Sequence, residues 1–271
     1  MGQCPKEWDN MRENKIQTID RSVAILDCFT LEKPAMGVRE VARRTNLSPS
    51  TVGRMMAYMR DIGILSQDPE TQSYMMGSKV LAWAGIYTVT SDVRAVALPV
   101  MVHLQEETRE TISLYVLEGN DRVCIERFES PETVRIVARV GRRIPLYAGS
   151  AGKVFLAFMP QARREELLAD MKLEPMTERT ITDKDELREN LGRIREQGYA
   201  ISRGEWIIDA SGTAAPIFDA RGNIIAAISI SGPAQRFTDE KMREMSEILL
   251  RATEDVSYEL GYYSRRGARE F

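Results

Sequence analysis

Residues 38–56 read VREVARRTNLSPSTVGRMM, and this stretch decides the fold of the N-terminal part of the chain. Its first eight residues place three small apolar side chains on one side of a predicted short helix. The other side then carries Arg39, Arg43 and Arg44. Asn46 and Leu47 follow as a tight corner, so a second helix begins only a few residues later.

The second helix of this stretch has an unusually clear start. Ser48 is a preferred N-cap residue, and Pro49 suits the first helical position, where a missing N–H costs nothing. The apolar side chains that follow share one face up to residue 61, while Ser50, Thr51, Arg54 and Tyr58 share the other. Such donors can reach base edges and phosphates in a major groove about 12 Å wide. The pattern is typical of a helix-turn-helix.

The flanking sequence extends this motif on both sides. IDRSVAILDCF, residues 19–29, has apolar residues at helical spacing, and residues 63–77 alternate apolar and polar residues around the turn Asp68-Pro69-Glu70-Thr71. The second pattern predicts a β-hairpin, which makes the helix-turn-helix winged. We expect Arg54 to contact bases, the three arginines of the preceding helix to contact phosphates, and Thr71, Gln72 and Ser73 of the wing to lie near the DNA backbone or minor groove. Ser48, at the start of the second helix of the motif, also belongs to this predicted DNA-contacting surface. The alternative is a small helical bundle whose arginines are only a solvated face.

The charge distribution favours a polyanionic partner for this block. Residues 15–65 carry eight Lys or Arg and five Asp or Glu, a net charge of +3, whereas the whole chain of 271 residues has a net charge of −3. Double-stranded DNA is the partner that this asymmetry and the motif predict together.

In the rest of the chain, the spacing of the apolar residues changes twice. Helical spacing continues from residue 78 to about residue 108 and includes the aromatic residues Trp83 and Tyr87. From Thr111 the sequence predicts strands: a hairpin over residues 111–128, one or two further strands over residues 133–146, and a second hairpin that turns at residues 219–223. Helices lie between these strands without alternating with each one. This arrangement predicts an α+β domain on an antiparallel sheet.

The segment LYAGSAGKVFLAF, residues 146–158, clusters Gly, Ser and Lys and invites a catalytic interpretation. A P-loop would need glycine at Tyr147 and Ser or Thr at Val154. Ser150 and Lys153 match S-x-x-K, but no K-T-G and no S-D-N accompany them. Backbone amides at the start of the predicted helix suit a small carboxylate instead. The alternative is that these small residues only let the helix pack on the sheet.

Composition argues against several other classes. The three cysteines are widely spaced with no C-x-x-C, and His103 is the single histidine, so we expect no metal site, no cofactor and no enzyme activity. No apolar run is long enough to cross a bilayer and the N-terminus does not resemble a leader sequence. We therefore expect a cytoplasmic protein that does not contact membranes.

Seven segments, in order and at this spacing, resemble the IclR-type bacterial transcriptional regulators. They are IQTIDRSVAILDCF, VREVARRTNLSPSTVGRMM, DPETQSYMMGSKVL, LYAGSAGKVFLAF, REQGYAISRGEW, AAPIFDARGNIIAAISISGP and RFTDEKM. The resemblance implies a winged helix-turn-helix domain (15–77), a linker helix (78–95) and a GAF-like effector-binding domain (96–264). Composition predicts a disordered lead-in (1–14) and a short basic tail (265–271). The resemblance also implies a dimer, or a dimer of dimers, on near-palindromic operator DNA.

The resemblance further implies a small organic effector, a carboxylate or carbonyl compound, in the C-terminal domain. By motif the effector site would comprise Ser150, Ala151, Ser202, Gly212, Ser229 and Ser231, with Trp206 as an added aromatic wall. Many members have His at the position of Tyr147 and an acidic residue at Ser202, and some have Cys at Gly212. These departures predict an effector larger or more apolar than a two- or three-carbon keto acid.

Two other classes of function stay open at this point. One is an enzyme that uses the C-terminal domain, and the other is a DNA-binding dimer whose C-terminal domain needs no ligand. The sequence also leaves open whether the protein represses or activates.

Overall fold

The computed structural model describes residues 16–263, apart from residues 31, 91, 137 and 138 and the side chains of residues 87–90. The predicted lead-in (1–14), the predicted tail (265–271) and the side chain of Tyr87 therefore lie outside the described part. The chain forms two compact units that divide after Thr90, and each is described by itself.

The first unit contains four helices and a two-stranded antiparallel hairpin within its described residues. They are α1 (Gln17–Leu26), α2 (Val38–Thr45), α3 (Pro49–Asp61), β1 (Leu65–Gln67), β2 (Tyr74–Met76) and α4 (Ser78–Thr90). The helix-turn-helix and its wing therefore occur where the sequence predicts them.

Local chemistry explains the sharp corner between α2 and α3. Asn46 ends α2 in the left-handed conformation, with φ 55°, which Asn adopts more readily than most residues. The Ser48 hydroxyl then accepts a hydrogen bond from the Thr51 amide at 3.2 Å and caps α3, whose first residue is Pro49. A small apolar core fixes the three helices, and Val52 and Met56 of α3 are fully buried in it.

Helix α4 presents apolar side chains to the surface of its own unit. Leu81 is 76% exposed, Ile86 is 64% exposed and Trp83 is 49% exposed. Trp83 and Ile86 are three residues apart and share one face of the helix, whereas Leu81 lies on another side. Exposed apolar side chains that share a face mark a surface that another molecule can cover.

The second unit is built on one antiparallel sheet of six strands. Its described elements are α5 (Asp92–Thr108), β3 (Thr111–Glu118), β4 (Asp121–Phe128), β5 (Arg143–Pro145), α6 (Ser150–Phe158), α7 (Gln161–Asp170), α8 (Lys184–Gln197), β6 (Ala200–Arg203), β7 (Ala210–Phe218), β8 (Ile224–Pro233) and α9 (Asp239–Glu259). The strand order is β5-β4-β3-β8-β7-β6.

Alternation along the strands directs side chains to the two faces of this sheet. Ile228 and Ile230 of β8 enter the core under α5 and α9, whereas Ala227 of the same strand enters the core under α6, α7 and α8. Ser229 and Ser231 follow Ala227 at two-residue steps and lie on the α6 face. Because side chains alternate between the two faces, polar residues two positions apart on a strand can line the same site on the α6 face.

Residues 133–146 form one of the one or two strands that the sequence predicts there. Within the described part of residues 133–141 there is no strand, and only β5 forms in the region where we predicted one or two strands. Side chains rather than a neighbouring strand bind the Ile136 carbonyl, which accepts from Arg127 Nη2 at 3.2 Å and from the Thr111 hydroxyl at 3.4 Å. Gly141, with φ 82°, then turns the chain into β5.

Candidate DNA interface and effector pocket

The outer face of α3 carries the side chains that we predicted to contact bases. Arg54 is exposed and makes no hydrogen bond or ion pair with a described residue, and Tyr58 is 66% exposed. The hydroxyls of Ser48 and Thr51 lie 2.8 Å apart, and the hydroxyls of Ser48 and Ser50 lie 3.1 Å apart. Ser48 is thus engaged in capping the helix, while Arg54 has a free guanidinium.

The three arginines of α2 are not equivalent. Arg39 and Arg43 are exposed, and neither pairs with a described residue. Arg44 is also exposed, but it forms an ion pair with Glu40 at 3.2 Å and donates to the Cys28 carbonyl at 3.4 Å. Only the first two therefore have guanidinium groups that can bind a phosphate without breaking an existing contact.

The wing turn is held by its own backbone and by Asp68. The Asp68 carboxylate accepts from the amides of Thr71 at 2.7 Å and Glu70 at 2.9 Å, and these hydrogen bonds lower the pKa of Asp68. Thr71 and Gln72 are exposed and Ser73 is half-buried. The turn presents these three side chains next to two carboxylates, Asp68 and Glu70, which repel phosphate.

The second unit contains a cavity of about 80 Å³ on the α6 face of the sheet. All seven predicted effector residues line it: Ser150 and Ala151 from the start of α6, Ser202 from β6, Trp206 from the following loop, Gly212 from β7, and Ser229 and Ser231 from β8. Residues from α6, three strands and one loop therefore meet at one place.

Strand register explains this meeting. Ser202 lies opposite Gly212, and Gly212 lies opposite Ser231, so these residues form one row across β6, β7 and β8. A Cβ atom on Gly212 would lie 2.6 Å from the Ile230 carbonyl oxygen. Glycine at position 212 therefore lets the two strands approach each other without strain.

A buried ion pair holds the start of α6 against the loop after β6. Lys153 Nζ lies 2.5 Å from Glu205 Oε1 and donates to the Ile201 carbonyl at 3.1 Å, while Glu205 Oε2 accepts from the Gly149 amide at 3.1 Å. Burial lowers the pKa of Lys153, and the charge of Glu205 opposes this shift. The contact joins residues 52 positions apart in the sequence.

Sequence reasoning missed four polar residues of the cavity wall: Tyr115, Arg122, Arg142 and Ser211. Arg142 is exposed and its guanidinium stacks on the Trp206 ring at 5.1 Å, whereas Arg122 is buried. The sequence gives only a weak indication of these residues, because a single arginine in a predicted hairpin strand does not show which face of the sheet its side chain occupies.

Two family models match the chain. One, described as the IclR helix-turn-helix domain, matches residues 18–69, and the other, described as the bacterial transcriptional regulator IclR C-terminal region, matches residues 86–258. The chain belongs to the IclR family. It is thus a helix-turn-helix transcriptional regulator with a C-terminal effector-binding domain, and the predicted fold class is confirmed.

IclR-family relatives match over nearly the whole chain. The HTH-type transcriptional regulator KipR of Bacillus subtilis is 31% identical over 250 residues, which cover 92% of this chain and 99% of KipR. The Thermotoga maritima IclR crystal structure has a TM-score of 0.78 and 31% identity, and the match covers 92% of this chain and all of that one. The structure of an IclR homolog from Microbacterium hydrocarbonoxydans, complexed with 4-hydroxybenzoate, has a TM-score of 0.76 and 30% identity. The match covers 90% of this chain and 98% of that one.

Two further observations concern other kinds of site. None of the described helices of this IclR-family chain combines the length and the hydropathy that a bilayer span requires. In the same part of the chain, no three His, Cys, Asp or Glu side chains come together in an arrangement that could hold a metal ion.

Proposed function

We propose that this IclR-family regulator binds double-stranded operator DNA with α3 in the major groove. Arg54 is the base-contacting residue of this proposal, supported by Ser50, Thr51 and Tyr58 on the same face. The supporting observation is that Arg54 is exposed with a free guanidinium. A bidentate arginine–guanine contact discriminates against the wrong base by about 1–3 kcal/mol.

The phosphate contacts of the proposal come from α2 and the wing. Arg39 and Arg43 neutralise phosphates, while Arg44 contributes less because it is already paired with Glu40. Thr71, Gln72 and Ser73 lie near the backbone or the minor groove. In this assignment residues 15–77 form the DNA-binding domain, residues 78–95 the linker, which includes α4 and the start of α5, and residues 96–264 the effector domain.

The active species in this proposal is a dimer, or a pair of dimers, in the cytoplasm. Support comes from the exposed apolar side chains of Trp83 and Ile86, which share one face of α4 and which a second copy of the same helix would cover. Two helix-turn-helix units would then read half-sites about 34 Å apart. Light scattering of the purified protein measures this directly, and a monomer at micromolar concentration would contradict it.

The effector of the proposal is a small carboxylate or carbonyl compound bound in the cavity. The observation that carries this point is the meeting of seven motif residues from separate segments around that one space. A cavity of about 150 Å³ suffices for benzene, whereas this one measures about 80 Å³. The volume favours a small carboxylate over the larger ligand that the departures from the family pattern predict. The 4-hydroxybenzoate of the relative is aromatic, so both size classes belong in a ligand screen.

Regulation in this proposal is thermodynamic linkage. The effector binds better to one arrangement of the dimer, and that arrangement changes the affinity of the two winged domains for the operator. No catalysis is involved: Lys153 pairs with Glu205 and the Ile201 carbonyl, so it does not activate Ser150.

The DNA contacts are tested by Arg54→Ala and Arg43→Ala in binding titrations over a range of salt concentrations. We expect Arg54→Ala to lose the preference for operator over random DNA, because it removes base contacts. Arg43→Ala should weaken binding to both DNAs and reduce the salt slope by about 1, because it removes one phosphate contact. Arg188→Ala in α8 of the second unit is the control and should change neither. An equal loss on both DNAs for Arg54→Ala would contradict the assignment.

A thermal-shift screen of organic acids and aromatic catabolites tests the effector site. A ligand that binds the folded state raises Tm by mass action, and its effect on operator affinity is then measured with the same protein. A protein that binds operator but shows no hit would contradict the effector part of the proposal alone.

A further inference from the structure

Arg122 is buried in the wall of the cavity. It lies on β4, is 4% exposed, and donates from Nη1 to the carbonyls of Ala148 at 2.7 Å and Pro145 at 3.0 Å. Its Nε atom is also buried and has no hydrogen-bond partner among the described residues. Arg122 thus braces the turn before α6 with one nitrogen and leaves other donors unused.

Arg122 differs from the other buried charged residues of the described chain. Glu110 pairs with Arg236, and Lys153 pairs with Glu205, but Arg122 has no ion pair with a described residue. Glu205 is the nearby carboxylate, and its two oxygens already accept from Lys153 and from the Gly149 amide. Beside the cavity, one positive charge is therefore left without a partner carboxylate.

A buried unpaired guanidinium requires compensation. Burial lowers the pKa of Arg122, yet arginine stays protonated in proteins, so the charge persists and keeps its desolvation cost. The Tyr115 ring, 5.5 Å from the guanidinium carbon, offsets a part of that cost. An anion in the cavity would offset more, because a carboxylate accepts two parallel hydrogen bonds from one guanidinium.

The position of Arg122 relative to α6 defines where such an anion would bind. The Cβ position on Gly149 is 3.1 Å from Arg122 Nη2, so this nitrogen lies beside the residue that precedes α6. The backbone amides of Ser150 and Ala151 are the first two of α6 and lie at the same place. A helix N-terminus also favours negative charge. The guanidinium and the helix start therefore converge on one end of the cavity.

We propose that Arg122 is the specificity-determining residue of the effector pocket and that it pairs with a carboxylate of an anionic effector. This rests on the proposal that the cavity holds the effector. Trp206 and Ile144 provide apolar walls for the rest of the ligand, and Ser229 and Ser231 provide hydroxyls. Arg142 does not have this role, because it is exposed and stacked on Trp206.

The test compares carboxylates with their neutral amides. Acetate, lactate, benzoate and 4-hydroxybenzoate are titrated beside acetamide, lactamide, benzamide and 4-hydroxybenzamide by thermal shift and calorimetry on the full chain. In the wild type we expect at least one carboxylate to bind about 10- to 100-fold more tightly than its amide, the range expected for a hydrogen bond to a charged group. Arg122→Met should lower carboxylate affinity to the amide level and leave amide affinity unchanged, while Arg122→Lys should keep part of the preference.

Arg143→Met is the matched control. Arg143 lies on β5, is exposed, pairs with Glu118 at 2.7 Å and does not line the cavity, so the same loss of charge should leave both affinities at the wild-type value. The proposal is overturned if wild type binds amides as tightly as carboxylates, if none of the carboxylates binds, or if Arg122→Met weakens both classes equally, as a purely structural brace would. If Arg122→Met does not fold, Arg122→Lys and the wild-type comparison decide.

The two proposals can fail separately. Salt-sensitive operator binding is measured on the same wild-type and Arg143→Met preparations without ligand. Intact operator binding with a pocket that does not distinguish charge overturns only the role of Arg122. If the wild type does not prefer operator DNA to random DNA, the proposed function itself is overturned.

Discussion

Replacing Lys153 with methionine should strongly destabilise the second unit. The Lys153 side chain is 1% exposed, and its ammonium group lies 2.5 Å from Glu205 Oε1 and 3.1 Å from the Ile201 carbonyl. Methionine retains most of the aliphatic packing but leaves the Glu205 carboxylate buried without its cation. Removing one partner of a buried pair costs about 3–5 kcal/mol, because the remaining charge keeps its desolvation cost.

An exposed pair in the same unit supplies the comparison. Arg188 in α8 lies 3.0 Å from Glu165, with about two fifths of each side chain exposed. Water screens such a pair, so Arg188→Met should cost at most about 1 kcal/mol. The double variant Lys153→Met/Glu205→Gln should recover part of the loss, because glutamine can still accept from the Gly149 amide without a buried charge.

The assay is urea unfolding followed by tryptophan fluorescence in a background with Trp8 and Trp83 replaced by phenylalanine. Trp206 is then the only tryptophan, and it follows Glu205 directly in the chain. The free energy of unfolding is compared among the parent, the two single variants and the double variant. A cost for Lys153→Met within 1 kcal/mol of that for Arg188→Met would refute the reasoning, and so would a double variant no more stable than Lys153→Met.

Two further predictions concern packing and thiol chemistry. Gly152→Ala should lower the free energy of unfolding in urea by about 3 kcal/mol or more, because its Cβ would lie 2.2 Å from Arg122 Nη1 and 2.3 Å from the Leu146 carbonyl oxygen. The control is Gly192→Ala, which has open space around its Cβ and should raise the free energy of unfolding by up to about 1 kcal/mol. Equal effects of the two changes would contradict this. Cys124 is fully buried, and burial also raises its pKa to about 11, so alkylation of this thiol at pH 8 should be at least about 100-fold slower in the folded than in the unfolded protein. Peptide mapping by mass spectrometry measures both rates, and similar rates would contradict the burial of Cys124.

The helix-turn-helix was predictable because its signals are local. A capping serine, a proline at the first helical position and a left-handed asparagine act within a few residues of where they stand. The same holds for the two hairpins of the sheet, whose alternation and turn residues are contiguous in the sequence. Segment 133–141 shows the limit: it alternates in the same way, but its described residues form no strand, and side chains from β3 and β4 bind its Ile136 carbonyl.

The serines of the pocket were predictable only through their motifs. Nothing in the spacing of Ser150, Ser202 and Ser231 indicates that they meet, but the family resemblance and the period of two along β8 identify them together. Arg44 shows both sides: the i,i+4 spacing of Glu40 and Arg44 already favours their ion pair, whereas the hydrogen bond from Arg44 to the Cys28 carbonyl depends on how the segment after α1 packs against α2.

The sequence alone determined the classes of local structure, the order of the elements and the positions of the polar residues on each helix and strand, because these follow from interactions between near neighbours in the chain. Only the tertiary structure decided that Lys153 is neutralised by Glu205, 52 residues away, and that Arg122 lies buried against the turn before α6 without a carboxylate of its own. Charge pairing in an interior depends on which distant segments pack together and on how much water they exclude, and neither leaves a mark in the local pattern.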